Sequence, residues 1–261
     1  MSPGVSVARS LLLPLLLSFL LVSPARSQDG QHDTAAAQDA AQALGLYLDG
    51  VAQSGGQPDY TKPPAAELFG HIFDLTALAA LPPAKADDLG WLLAWGTAVD
   101  QTYKRILLFG LKSDQASDRL LLQRNITLYE DQCAEAMNFM IRFEARQAIT
   151  LSRFLDQLPP EERTPGRAAG LQQARLGATQ LIVGAIVSVS QGMKPVNAQL
   201  VSGALRDTRD TWALYIPPSD RGGIVGMLEK IPQTMDDREV QNNLAAVAGA
   251  LTAANERKDT P

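Results

Sequence analysis

Glu130 and Glu144 stand fourteen residues apart in a stretch, 114–158, that holds neither glycine nor proline. Such a stretch reads as one very long helix, or as two helices with a kink near Asn125. Placed at about 100° per residue with Met137 as origin, Leu155, Ala148, Ile126, Cys133, Leu151 and Ile141 fall within about 40°. Glu135, Arg142, Arg146 and Arg153 take the opposite side. The two glutamates fall within about 20° of the apolar centre, roughly 21 Å apart along the axis. A carboxyl in that position must be paired, protonated or open to a cavity, because an isolated buried charge is costly. Two kinds of chemistry follow. One is a structural ion pair with an Arg or Lys from a neighbouring helix. The other is a polar pocket lined by Met137, Met140, Trp91 and Trp95, where a glutamate with a raised pKa serves a ligand or acts as a general base.

A second candidate lies on the helix that Thr164-Pro165 begins. Gly166, Gly170, Gly177, Gly184 and Ser188 fall within about 20° of one line, with Ile182 and Ile186 on the far side. Each interior glycine costs about 0.5–1 kcal/mol relative to alanine, so the line calls for a close approach by another surface. That surface is another helix of the same chain, a ligand or a partner. The run Leu-Ile-Val-Gly-Ala-Ile-Val-Ser-Val-Ser at 181–190, bracketed by Gln180 and Gln191, is too short to span a membrane and reads as buried.

Other constellations are weaker. Glu67, His71 and Asp74 share one side of a short helix, but that side is the polar flank of an apolar stripe, where solvated charge is expected. Inward carboxylates of the di-iron type come with Glu-x-x-His pairs, and the chain has none, so no metal or other cofactor is assigned. Two histidines and one cysteine, Cys133, leave no footing for a nucleophilic triad. Gly222-Gly223 is too little for a phosphate loop. The repeat Arg-Asp-Thr-Arg-Asp-Thr at 206–211 predicts an Arg206–Asp210 ion pair, with Arg206 or Arg209 free to turn toward Glu130 or Glu144 instead. No catalytic residue is assigned. The candidate ligand or interaction residues are Glu130, Glu144, Met137, Met140, Gly177, Gly184 and Ser188.

The elements that must position these residues are helices throughout. Asp33 is placed as the cap of a first helix with Ala37, Ala41, Leu44, Leu48 and Val51 on its inner face, stopped by Ser54-Gly55-Gly56. Leu68, Phe69, Ile72, Phe73 and Leu75 mark a second, short helix. Asp87 or Asp88 opens a third that is free of charge from 89 to 99, with Asp100 and Lys104 spaced to pair. Thr164-Pro165 and Pro195 start later helices. Asp236 with Glu239 resembles a capping box, ahead of Val240, Leu244, Val247, Leu251 and Ala254 on one face. No segment reads as a strand, and no solenoid repeat is present. The expectation is an all-α protein: a single helical bundle of about six to eight helices over 34–256, including the very long helix at about 114–158.

The ends and the charge place the molecule. Arg9, an apolar run over 11–22 and Ala25-Arg26-Ser27 form a signal peptide over 1–27, followed by a polar tail over 28–33; 257–261 is a C-terminal tail. Cleavage leaves 234 residues, and loss of Arg9 and Arg26 without any acid takes the net charge from −5 to −7. An acidic chain without basic runs is a poor ligand for nucleic acid. A lone cysteine builds no internal disulfide framework. The sequon Asn125-Ile126-Thr127 falls inside a helical pattern and reads as chance. The expectation is an exported protein of a bacterial envelope, periplasmic or else extracellular, and not integral to the membrane once cleaved. It is non-enzymatic and acts by binding a protein or an envelope component. A small apolar ligand held between helices, or an enzyme using a buried glutamate, are the alternatives.

Overall fold

The computed structural model describes residues 31–111, 116–231 and 236–257. The signal segment, residues 28–30 of the expected tail, and 258–261 lie outside the described residues. Among the described residues every regular element is a helix, so the protein is all-α. No described helix is long and apolar enough to cross a membrane. The helices outnumber the expected six to eight because several breaks occur without a glycine or proline to announce them. Contacts gather the chain into two compact units that meet at Thr164/Pro165.

The N-terminal unit holds α1 (Gln31–Gln53), α2 (Ala65–Ile72), α3 (Leu75–Ala80), α4 (Leu89–Leu107), α5 (Ala116–Leu128) and α6 (Glu130–Gln157). Helix α1 already includes Gln31, so Asp33 lies inside it and not at its cap. Asp74 caps α3 by accepting at Oδ1 from the backbone N–H of Thr76 and Ala77 (2.8 and 2.9 Å), while Glu67 and His71 are exposed. The expected long helix is two. Tyr129 leaves helical geometry at φ −109°, ψ 32°, although hydrogen bonds from Tyr129 N to Asn125 O and from Cys133 N to Tyr129 O still cross the break. The interruption lies four residues beyond the expected kink.

Helix α6 is buried around nearly its whole circumference. Phe139, Phe143, Ala136 and Ala145 are buried along with Met137 and Ile141, so its apolar face is far wider than one stripe. Rings fill the space around it. Tyr129, Tyr60, Phe69, Phe73 and Phe139 follow one another at centroid distances of 4.6 to 6.0 Å, and Trp95 and Phe143 close on Phe139 at 5.6 and 5.5 Å. Edge-on and offset ring pairs of this kind add about 0.5–1.5 kcal/mol each beyond the area they bury. Helix α4 packs against α6 at Gly96, where a Cβ would stand 2.6 Å from Gln147 Nε2; the Gln147 amide donates to Leu92 O at 2.8 Å. On the polar side, Arg146 and Arg153 reach out to donate to the carbonyls of Pro82 and Ala84, satisfying a loop that Pro82-Pro83 keeps out of helix.

The C-terminal unit holds α7 (Pro165–Ser190), α8 (Pro195–Asp207), α9 (Arg209–Tyr215), α10 (Pro218–Leu228) and α11 (Arg238–Glu256). The prolines at 165, 195 and 218 each stand at the first helical position, where the missing N–H is no loss. Asp237, one residue after the expected cap, accepts from Glu239 N and Val240 N. Helix α11 buries Val240, Leu244, Val247 and Leu251 completely, mainly against α8, α9 and α10. The break between α8 and α9 falls at Thr208, whose hydroxyl donates to Ala204 O and accepts from Trp212 Nε1, both at 2.7 Å. The expected Arg206–Asp210 pair is not made. Arg206 instead clasps Asp207 at 2.7 Å and donates to Asn243 Oδ1 at 3.0 Å, because the helix ends between the two partners.

Candidate binding site

The residues singled out from sequence do not converge. Glu130 is the first residue of α6, half-buried. The break at Tyr129 turns a mid-helix acid into a first-turn acid, where carboxylates favour the positive helix end. Glu144 is also half-buried, fourteen residues further along the same helix. No hydrogen bond or ion pair involves its carboxyl among the described residues. Burial, and secondarily the carboxylate of Asp100, push its pKa up to about 8. Asp100 itself is bridged to Lys104 at 2.6 Å, as its spacing predicts. Of the options for an inward carboxyl, that raised pKa favours protonation.

Met137 and Met140 are buried at 5% and 4% exposure among the rings, and Cys133 is buried with them. Burial first and Glu130 second push the Cys133 thiol up to about 12, so it packs as an inert small side chain. On α7, Gly177 and Gly184 are buried and Ser188 is half-buried. Ile182 and Ile186, opposite the glycine line, are buried as fully. Both the glycine line and the face opposite it are therefore buried, while Leu176 between them is exposed. Within its own unit α7 packs on α8 and α10. None of the seven residues lines either of the two pockets described here.

The larger pocket lies in the N-terminal unit, where the ends of α1 and α4 meet the last turns of α5. It is a half-open groove of about 580 Å³, within the range of small-ligand sites. Leu48, Leu108, Phe109, Leu121 and Leu128 give it an apolar floor, and among the described residues Lys104, Arg105 and Arg124 stand against a single acid, Asp49. Three local devices shape it. Gly110, at φ 77°, ends α4 in the left-handed region that favours glycine. The Asn125 side chain, 4% exposed, donates to Leu107 O at 2.9 Å and Phe109 O at 2.8 Å. It thereby satisfies two carbonyls that the end of α4 leaves orphaned, and it anchors α5 across the groove. Gly45 on α1 lets Arg105 lie flat: a Cβ there would stand 2.3 Å from Arg105 Nη1. That guanidinium then reaches Asp49 at 3.6 Å.

The cations differ in commitment. Lys104 is engaged by Asp100, and Arg105 makes a long contact with Asp49. Arg124 is exposed and makes no ion pair among the described residues. The arrangement can seat an apolar body on the leucines with an anionic group toward Arg124 and Arg105. Sequence reasoning passed over this groove. Its one local clue, Asn125, was read as a chance sequon, whereas its amide is consumed by the end of α4. Compared with known protein families, with curated proteins and with solved structures, the chain shows no significant match to any.

Proposed function

We propose that this is an exported, non-enzymatic helical protein of the bacterial cell envelope, periplasmic in placement, that binds an envelope component. The component is an amphiphile with an apolar chain and an anionic end, seated in the groove between α1, α4 and α5. The observation that carries the reading is the pairing of an apolar floor with a cation, Arg124, that makes no ion pair among the described residues, at one half-open site. A filled aromatic core supports it from the other side, since Trp95, Met137 and Met140 are consumed by packing and leave the groove as the larger of the two pockets. The export reading rests on the segment 1–27.

Calorimetric titration of the chain beginning at Gln28 tests it with two probes of equal length, dodecanoate and dodecanol. The expected result is saturable one-to-one binding of dodecanoate that Arg124→Glu weakens about tenfold, with dodecanol affinity unchanged by that substitution. Leu108→Arg abolishes both by placing charge on the floor. Absence of saturable binding by either probe, or binding indifferent to both substitutions, overturns the reading.

A further inference from the structure

The smaller pocket, about 220 Å³, belongs to the C-terminal unit and has an unusual charge make-up. Arg175, Arg221 and Arg257 line it, with Tyr215, Ile216 and Pro217 among its apolar walls, and no acid lines it among the described residues. Arg175 comes from α7, Arg221 from α10, and Arg257 from the end of α11. We propose that this pocket is a binding site for a small oxyanion group, a phosphate or carboxylate, distinct from the groove of the N-terminal unit.

The argument rests on how the guanidiniums are held. Arg221 is 3% exposed. Its Nε donates to Ile216 O at 2.9 Å and its Nη1 to Ala254 O at 3.1 Å, which leaves Nη2 without a hydrogen bond among the described residues. Arg175 stacks over the Tyr215 ring with its Cζ 5.7 Å from the centroid, and its Nε is buried without a partner. Neither arginine is paired with a carboxylate among the described residues. The nearest acid in sequence, Asp220, accepts from Ser219 Oγ at 3.0 Å. Burial, and secondarily the like charge of Arg175, press the pKa of Arg221 down. A guanidinium cannot shed its charge at any physiological pH, and buried charges are paired or otherwise compensated. Backbone carbonyls compensate Arg221 in part. Two like charges around one small cavity are compensated best by an anion between them, and the planar fork of arginine fits phosphate and carboxylate oxygens in pairs. The small volume and the proline and tyrosine walls suit an oxyanion with a short apolar substituent.

Calorimetry on the chain beginning at Gln28, at fixed ionic strength in chloride, tests this with inorganic phosphate in one arm and propionate in the other. Saturable binding of either probe is expected, and the arm that binds identifies the oxyanion. Arg175→Gln and Arg257→Gln should each weaken it about fivefold or more, whereas Arg124→Glu in the other unit should leave it unchanged. Arg221 is held by two backbone carbonyls and its replacement threatens the fold, so the two outer arginines carry the test, with circular dichroism confirming that each variant is helical. Saturation by neither probe, or affinity unaltered by both substitutions, overturns the proposal.

Discussion

Each unit holds an ionisable side chain whose charge burial disfavours, and the two charges are of opposite kind. In the N-terminal unit it is the Glu144 carboxyl, with no partner among the described residues and a pKa raised to about 8. In the C-terminal unit it is the Arg221 guanidinium, gripped by the carbonyls of Ile216 and Ala254. A carboxyl can escape its cost by taking up a proton within the ordinary pH range, so burial there becomes a dependence on pH. A guanidinium has no such exit, so burial there becomes a dependence on hydrogen-bond acceptors and on anions. The same physical problem yields a pH-sensitive region and an anion-sensitive one.

Replacing Arg221 by Ala breaks the comparison most severely. It strands the carbonyls of Ile216 and Ala254 and empties a packed site, and we expect a loss of about 3–5 kcal/mol in chemical denaturation. Asn125→Ala comes next. It orphans the carbonyls of Leu107 and Phe109, for an expected loss of about 2–3 kcal/mol, together with the groove's ability to hold dodecanoate.

Glu144→Gln is smaller and carries a sign. The folded pKa lies above the unfolded value, so the folded state holds its proton over a window in which the unfolded state has released it. Stability attached to this group is full below pH 4–5, falls as pH rises toward 8, and is flat beyond. Glutamine removes that fall. The variant should match the parent near pH 5 and exceed it at pH 9 by on the order of 1–3 kcal/mol, discounted for a half-exposed group. Denaturation curves at the two pH values decide it, and a parent whose stability rises across this window would contradict the account of Glu144. Gly45→Ala is the smallest. Gain in helix propensity and displacement of the Arg105 guanidinium nearly cancel, leaving stability within about 1 kcal/mol. Dodecanoate affinity, measured by the same titration, should fall about two- to threefold.

These residues also show what a sequence can disclose. Prolines at 165 and 195 announced their helices because proline's fixed φ and missing N–H suit a first turn. Helix α11 was legible because Val240, Leu244, Val247 and Leu251 repeat on one face. Helix α6 was legible only in part. A single stripe around Met137 is what an outer helix needs, whereas Phe139 and Phe143 near its charged side belong to a helix enclosed by its neighbours. No residue at Tyr129 forbids helix, so the break there was hidden. The two pockets were illegible for a different reason. Arg175, Arg221 and Arg257 are far apart along the chain, as are Leu48, Arg105 and Arg124, and only the fold gathers them.

Hydrogen–deuterium exchange of the chain beginning at Gln28, with and without dodecanoate, tests the binding account most directly, because it reports where a ligand sits. Protection confined to 104–111 and 121–129, and lost in Arg124→Glu at the same ligand concentration, is the result the groove predicts. Unchanged exchange in those two segments, or protection that appears in 238–256 instead, would contradict it.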